Sequence, residues 1–406
     1  MSEAPPNPPA GAEALAPVAP AASAPAASAP AAACPLPLDV LTANFRKHVD
    51  PAAPAPLRMM GAKGLVPMAP KEVATALFML TFDADAGIRE AAHKTAAGLP
   101  DRILSVALRD DTLEGVVLDW FAAGLAARVE YLEMIVLNPA APDEAVARIA
   151  ATAPDRVMEI IAQNQLRLLR HEGIVRALVG NPATRPATLD NVTDFCVRSG
   201  LILADLPAFR EARRRILGGA AGDDNAAAEA AARAAEEEAA AVAELEKMGA
   251  VHGGSGEAPL GEAQAAEQRR LSIAAQIMKL SIARKIEWAN KKGTKEVRTI
   301  LLRDPNKLVQ MAVVQSPRIT EEEITKLSNS RVLPQEVLTY LYNNRQLTKN
   351  YQIKVNLVNN PKVPVAVSMR FLSLLRASEL KTLGKNKNVS NALATAARNL
   401  MEKKKS

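Results

Sequence analysis

The chain has 406 residues, of which 49% are hydrophobic and only 3% aromatic, and its formal net charge is +6. This length and hydrophobic content suit two or three domains with apolar cores, so globular structure is the expectation. Abundant Ala and Leu with few aromatic residues favour helices packed on helices over a sheet-rich core. The sequence therefore predicts an all-α protein.

The N-terminal segment has low sequence complexity. Residues 1–34 are almost wholly Ala, Pro and Ser, a composition with too little large apolar surface to offset the entropy of ordering. We predict a disordered Ala/Pro-rich tail and linker over residues 1–60. The segment lacks the features of a signal peptide, and no window of the chain has the roughly 20 apolar residues of a membrane span. The simplest expectation is a cytoplasmic protein without a membrane partner.

Helix-length apolar periods begin at about Lys71 and are separated by Pro, Asp and Asn. They follow one another closely until Gly218-Gly219. We therefore predict an N-terminal α-helical repeat domain over residues 61–217. A second, basic α-helical repeat domain is predicted over residues 262–406.

An Ala- and Glu-rich run separates the two domains. Residues 223–247 begin with acids, and Gly249 lies just past their end, both of which are signals of a helix. Only Val242 and Leu245 offer sizeable apolar contacts, so we expect a helix surrounded by water. Residues 218–261 are thus predicted to form an acidic helical spacer and a Gly-rich joint.

One local pattern occurs four times in the chain. An Asn or Ser stands before Pro, and an apolar residue follows eleven positions after it. The Asn or Ser residues are Asn138, Asn181, Ser316 and Asn360, and the apolar residues are Ile149, Val192, Leu327 and Phe371. The pattern predicts corners between helices, because the residue before Pro leaves the helical region and Asn tolerates the left-handed conformation. Thr320 and Glu323 are expected to form a capping box at the third corner.

The corners are spaced alike in the two halves of the chain. An Asn-centred polar break lies between each pair of corners, at Asn164 in the first half and at Asn344 in the second. Residues 127–195 and 305–375 are therefore interpreted as two copies of one structural unit. Helical units that bury their apolar faces only by stacking are typical of α-solenoids.

These corners, such as Leu137-Asn138-Pro139 and Asn359-Asn360-Pro361, resemble those of the HEAT-like and leucine-rich-repeat-variant class of α-solenoids. The resemblance covers about half of the chain. It implies two short right-handed solenoid arrays joined by the spacer. Some variant-repeat proteins carry an N-terminal cysteine cluster for an iron–sulfur centre, but here Cys34 stands alone before the first helices. We therefore predict no cofactor.

Motifs for catalysis and metal binding are not evident. The nearest approach to a P-loop, at Gly384-Lys385-Asn386, lacks the first glycine and the magnesium-binding hydroxyl. The two cysteines, Cys34 and Cys196, are far apart, and Cys196 is interpreted as a small buried hydrophobic residue. We predict a protein that is not an enzyme and holds no metal.

Charge is distributed unevenly along the chain. Residues 262–406 carry 27 Lys and Arg against 11 Asp and Glu, whereas residues 1–261 have a net charge of −10. Such asymmetry indicates an anionic partner for the C-terminal half, or attraction between the two halves. Eight cations are concentrated in one helix pair and its loop: Arg284, Lys285, Lys291, Lys292, Lys295, Arg298, Arg303 and Lys307.

The repeated corners and the missing catalytic motifs favour a scaffold or adaptor that binds protein partners through its helical surfaces. The candidate binding residues are Arg167 and Arg345, beside the two polar breaks, together with the eight cations. The neighbouring Asn164 and Asn344 are expected to be helix caps. The alternative function is sequence-independent nucleic-acid binding by residues 262–406, which predicts strong salt dependence.

Overall fold

In a computed structural model, which describes residues 33–217, 224–250 and 263–403, the chain folds into helices, and those ranges contain no strand. The predicted all-α fold is confirmed. The predicted disorder of residues 1–32 and most of the Gly-rich joint lie outside the described residues. The helices before the acidic segment are α1 (Ala43–Arg46), α2 (Ala55–Ala62), α3 (Pro70–Leu80), α4 (Ala86–Ala97), α5 (Asp101–Leu108), α6 (Gly115–Gly124), α7 (Val129–Leu137), α8 (Asp143–Thr152), α9 (Asp155–Gln163), α10 (Gln165–Arg170), α11 (Glu172–Gly180), α12 (Pro186–Arg198) and α13 (Pro207–Leu217).

The acidic segment and the C-terminal half are also helical. Their helices are α14 (Asp224–Lys247), α15 (Ala263–Met278), α16 (Ile282–Glu287), α17 (Lys295–Leu301), α18 (Lys307–Val314), α19 (Glu321–Ser328), α20 (Gln335–Asn343), α21 (Tyr351–Asn359), α22 (Val365–Leu372), α23 (Ala377–Leu383) and α24 (Asn391–Lys403). Short 3₁₀ turns lie at Leu38–Val40 and Leu347–Lys349, and a π-helical turn extends α16 over Trp288–Lys292.

Helical packing begins before the predicted domain boundary at residue 60, which falls inside α2. Leu41 and Val49 are 1% and 5% exposed and belong to the same core as α3 to α13. Residues 33–60 therefore cover the first helices of the N-terminal array. The Ala- and Pro-rich composition of the segment gave no sign of this packing, because only a few large apolar residues such as Leu41 and Val49 supply it.

Helices stack in alternation along the N-terminal array. Helix α3 packs on α5, α5 on α7 and α7 on α9, while α8 packs on α11. Leu77, Leu104, Leu118 and Val146 are fully buried between these layers, with 0% to 1% exposure. The array therefore has one continuous core, to which each helix contributes one apolar face.

The corner asparagines make a repeated set of hydrogen bonds. Asn181 donates its side-chain amide to the carbonyls of Ala150 and Ala153 at 2.9 and 3.0 Å, and its Oδ1 accepts from the backbone N–H of Ala183 at 2.9 Å. Each asparagine thus ties its corner to the end of an earlier helix. The other two corners that contain asparagine are tied in the same way, by Asn138 to Leu108 and Asp110 and by Asn360 to Ser328 and Ser330.

The left-handed conformation predicted for these asparagines is wrong. Asn138, Asn181 and Asn360 have φ of −73°, −83° and −84°, and among the described residues only glycines have positive φ. The following proline drives each residue into the extended region. Asparagine is used here for its side chain, whose two donors satisfy buried carbonyls.

Two other expectations about the corners are confirmed. Thr320 and Glu323 form the capping box at the start of α19. The apolar residues eleven positions after each corner are all buried, with exposed fractions of 3% to 9%: Ile149, Val192, Leu327 and Phe371.

The two segments interpreted as copies have the same order of elements. Each runs through a helix, a corner, two helices, a polar break, a short helical element, a helix, a second corner and a helix. The first copy consists of α7 to α12, and the second of α18 to α22, with the Leu347–Lys349 turn in the place of α10. Asn164 and Asn344 cap the element that follows their breaks, as expected.

Helix α14 packs on the C-terminal half, so the expectation of a spacer surrounded by water is wrong. Ala241 and Leu245 are 1% and 0% exposed and share a core with α15. A carboxylate oxygen of Glu238 accepts hydrogen bonds from the backbone N–H and the hydroxyl of Ser281 at 2.9 and 2.7 Å. Short alanine side chains let the helix come close enough for one leucine to be fully buried.

The two arrays also contact each other directly. Leu166 and Leu169 of α10 lie in the same apolar core as Trp288 of the C-terminal half. At this junction the N–H of Ala283 donates to the carbonyl of Ser199 at 3.0 Å. The arrays are therefore joined by a shared core, which we call the seam, in addition to the chain connection.

We expect the Asn181→Ala substitution to lower the free energy of unfolding by about 2 kcal/mol, because it leaves two buried carbonyls without donors. Urea titration of the full chain measures this change. The control is Asn399→Ala on the exposed face of α24, which should alter stability by less than about 0.5 kcal/mol. Equal effects of the two substitutions would contradict the role given to the corner asparagines.

Candidate functional site

A groove runs along the inner side of the N-terminal array and between the two arrays. It consists of three adjoining cavities of about 320, 530 and 430 Å³. The first two share Pro139 and Gln315, and the last two share Gln163 and Gln165. We call this continuous depression the inter-array groove. Helices α7, α9, α10 and α12 supply one side, and α18 and α20 supply the other.

Carboxamide side chains dominate the polar lining of the groove. Seven line it: Gln163, Asn164, Gln165, Asn191, Gln315, Asn343 and Asn344. Within the described residues, the side-chain amides of five of them make no hydrogen bond. These five are Gln163, Gln165, Asn191, Gln315 and Asn343. Each therefore offers a donor and an acceptor to a bound molecule.

The floor of the groove is apolar. Leu137, Leu308 and Met311 line its middle, and Leu168 and Phe195 line one end. Leu137 is 67% exposed although it lies in a helix of the array. Concave apolar surface with a small number of polar groups is typical of ligand sites.

The groove has little free charge. Arg167 and Arg170 both bind Asp143, with distances of 2.5 to 3.0 Å. Glu159 forms an ion pair with Arg185 at 2.5 Å. Among the lining residues that the structure describes, Asp111 alone is charged and without an ion pair. The groove thus presents hydrogen-bonding groups and apolar surface at near-neutral charge.

Arg345, one of the predicted binding residues, directly follows Asn344, which lines the groove. Burial acts to raise the pKa of Asp110, but hydrogen bonds from the hydroxyl and backbone N–H of Thr112 and the charges of Lys71 and Arg345 hold it below its ordinary value. Arg345 therefore acts electrostatically on a carboxylate of the other array. Its side chain is exposed.

The other predicted residue of this kind, Arg167, holds the protein together instead. It is 4% exposed and donates to the carbonyls of Asn138 and Ala141, both at 2.8 Å, and to Asp143 at 3.0 Å. Burial lowers its pKa, while the nearby Asp143 opposes this. Arg167 fixes the first corner, and its guanidinium is not available to a partner.

Most of the eight cations predicted as one basic site are neutralised within the protein. Six have carboxylate partners. The pairs are Arg284 with Glu287, Lys285 with Asp304, Lys292 with Glu287, Lys295 with Glu322, Arg298 with Glu323, and Lys307 with Glu336, at 2.5 to 3.6 Å. Lys291 and Arg303 are exposed and have no ion pair among the described residues. The structure therefore does not bring the eight together as a free cationic surface.

Arg298 and Glu323 form the most buried of these pairs, with 4% and 6% exposure. Nε and Nη2 of Arg298 donate to the two carboxylate oxygens at 3.2 and 3.0 Å. Burial alone would raise the pKa of Glu323, but hydrogen bonds from Arg298 and Thr320 hold it below its ordinary value of 4.5. This pair anchors the third corner to α17.

The sequence patterns did not indicate that the amides line a groove. The polar breaks at Asn164 and Asn344 were recognised, but binding was predicted for Arg167 and Arg345 beside them. One signal in the sequence could have indicated the amides: amide side chains, rather than charged ones, stand at helix ends beside apolar residues. Asn191 and Gln315 offered no such signal, because their place in the groove depends on the packing of distant helices.

Two further properties bear on the range of functions. In the described ranges, no three His, Cys, Asp or Glu residues lie close enough together to hold a metal ion. Those ranges likewise contain no helix of sufficient length and hydropathy to cross a membrane. Cys196 is fully buried, which raises its pKa to about 12, and its interpretation as a core residue is confirmed.

We expect Glu323→Gln to lower the free energy of unfolding at pH 7 by about 3 kcal/mol, since it leaves Arg298 buried without a counter-charge. The adjacent control, Glu322→Gln, removes an exposed pair and should cost less than about 0.5 kcal/mol.

Because the folded-state pKa of Glu323 is depressed, its stabilisation is complete above pH 4.5 and is lost as the pH falls further. Urea titrations from pH 7 to pH 3 should show this loss in the wild type and a flatter profile in Glu323→Gln.

No protein-family model matches the chain, and no curated protein matches it. A solved structure described as an engineered protein from a structural genomics consortium aligns over 90% of this chain and the whole of its own chain. The two are 15% identical, and their TM-score is 0.21. A likeness at this level carries no argument about fold or function.

Proposed function

We propose that this chain is a non-enzymatic scaffold or adaptor that holds an extended segment of a protein partner in the inter-array groove. The observation that carries the proposal is the row of unbonded amides above an apolar floor. A polypeptide in extended conformation presents alternating N–H and C=O groups, and each carboxamide offers one group of either kind to them.

Side chains of the bound segment would alternate between the floor and the solvent. Those that face inwards would meet Leu137, Leu308 and Met311 in the middle of the groove and Phe195 at one end. Binding would then combine backbone hydrogen bonds with burial of a few apolar side chains.

The charge of the groove favours a polypeptide over a polyanion. A phosphate backbone is held by free Lys and Arg side chains, whereas the two arginines of the lining are both bound to Asp143. The lining also lacks a nucleophile paired with a base, within the residues described. These features support a binding role.

The proposal includes membership of the HEAT-like and leucine-rich-repeat-variant class of α-solenoids, with two right-handed arrays. The shared order of elements in the two copies and the repeated bonds of Asn138, Asn181 and Asn360 support it. A cytoplasmic location is also proposed. It is supported by two cysteines that remain free, with Cys196 wholly inside the core.

The test uses a phage-displayed library of random peptides, selected on the immobilised full chain. We expect selected peptides to bind the Gln163→Ala/Gln315→Ala double variant about 30-fold more weakly, since two lost hydrogen bonds of about 1 kcal/mol each amount to that factor. Fluorescence anisotropy of synthetic copies measures the affinity.

The matched control is Gln335→Ala/Asn399→Ala, which removes two exposed amides outside the groove. It should change affinity less than twofold. Two results would contradict the proposal: selection that enriches no binding peptide, and peptides whose affinity is the same for the groove variant and the control variant.

A further inference from the structure

Besides Lys291 and Arg303, free positive charge in the C-terminal half also lies on α23, α24 and the loop between them. The hairpin of α23 and α24, residues 377–403, contains five basic residues against two acidic ones, Glu379 and Glu402, and the acidic residues are absent from its central part, residues 380–400. The basic residues of this central part are Lys381, Lys385, Lys387 and Arg398, all exposed and all without an ion pair among the described residues. The last helical hairpin therefore presents uncompensated charge.

The fold brings these four side chains to one place. Helices α23 and α24 pack on each other, and the loop between them contains Lys385 and Lys387. The aliphatic part of the Arg398 side chain passes over Gly384. A Cβ atom at position 384 would lie 2.9 Å from Cγ of Arg398. Lys381 is one helical turn before Lys385. A side chain at position 384 would displace Arg398, so glycine permits this close approach.

The loop is held in a defined conformation. The side-chain amide of Asn386 donates to Oδ1 of Asn359 in α21 at 3.1 Å, and its Oδ1 accepts from the backbone N–H of Asn388 at 2.9 Å. These bonds fix the backbone on which Lys385 and Lys387 stand. Cations held on a fixed backbone lose less entropy when they bind a regular array of charges.

We propose that the α23–α24 hairpin is a second binding surface, for the phosphate backbone of a double-stranded nucleic acid, without sequence specificity. It is independent of the groove. Four phosphate contacts would give electrostatic affinity and counter-ion release. The chain contains no aromatic residue after Phe371, so the hairpin lacks the stacking platforms that single strands require.

The surroundings of the hairpin argue against an anionic membrane as its partner. Helices that lie in a membrane surface add the burial of apolar side chains in the lipid to electrostatic attraction. The exposed large apolar residues of the described C-terminal half end at Leu374, before α23 begins. A surface of cations and small polar residues fits phosphates in an aqueous groove.

The test titrates the full chain against random-sequence duplexes of DNA and of RNA, a single strand of equal length, and vesicles of phosphatidylserine and phosphatidylcholine. Four contacts predict that log Kd rises with log salt with a slope of about 3.6, so duplex affinity falls about 150-fold between about 50 and 200 mM salt. We expect weaker binding to the single strand and none to vesicles.

Two variants with the same change in net charge test the location. Lys385→Gln/Lys387→Gln/Arg398→Gln should reduce the salt slope to about 0.9 and the duplex affinity more than tenfold. The control, Arg284→Gln/Lys295→Gln/Lys307→Gln, removes three cations that already have carboxylate partners and should change affinity less than twofold. Residues 404–406 are left intact in all proteins.

Several outcomes would overturn the inference. Equal losses in the two variants would show a simple effect of net charge. Vesicle binding that depends on the hairpin, or preference for the single strand, would identify a different partner. Absence of duplex binding at the lower salt concentration would show that the hairpin does not bind nucleic acid. None of these results bears on peptide binding in the groove.

Discussion

The architecture depends on one shared apolar core at the seam. Leu166 and Leu169 of the N-terminal array are buried with Trp288 of the C-terminal half and with Leu245 of the acidic helix. Burial of four large side chains at one junction holds two arrays and their connecting helix as a single body. The part of the inter-array groove between the arrays exists because of this junction, since one side of it comes from each array. Its width is therefore set by the core and by the bond between Ser199 and Ala283.

The local elements could be predicted from the sequence, because the signals that define them lie within a few residues. Pro after Asn181 or Asn360 ends a helix, and Thr320 with Glu323 begins one. The role of the asparagine was misjudged for the opposite reason. Its side chain bonds carbonyls about 30 residues earlier, as from Asn181 to Ala150, and spacing along the chain does not reveal such a contact.

The distribution of free charge is likewise hard to predict from spacing along the chain. The eight cations form a dense run in the sequence, yet four of them have carboxylate partners on other elements, as Glu323 is for Arg298 and Glu336 for Lys307. The four cations of the last hairpin have no such neighbours. The acidic helix was likewise predicted as a helix but not as part of the core, because a single leucine gives no amphipathic pattern strong enough to indicate burial.

The most direct test of this account is the distance between the two arrays in solution. Spin labels at Arg109 and Lys349, exposed residues of the N-terminal array and the C-terminal half respectively, can be introduced as cysteines after Cys34→Ser and Cys196→Ala. Double electron–electron resonance should then give one narrow distance distribution that does not change with salt concentration, because the seam is apolar. A broad distribution, as expected for arrays joined by a flexible spacer, would contradict the shared core and with it the groove.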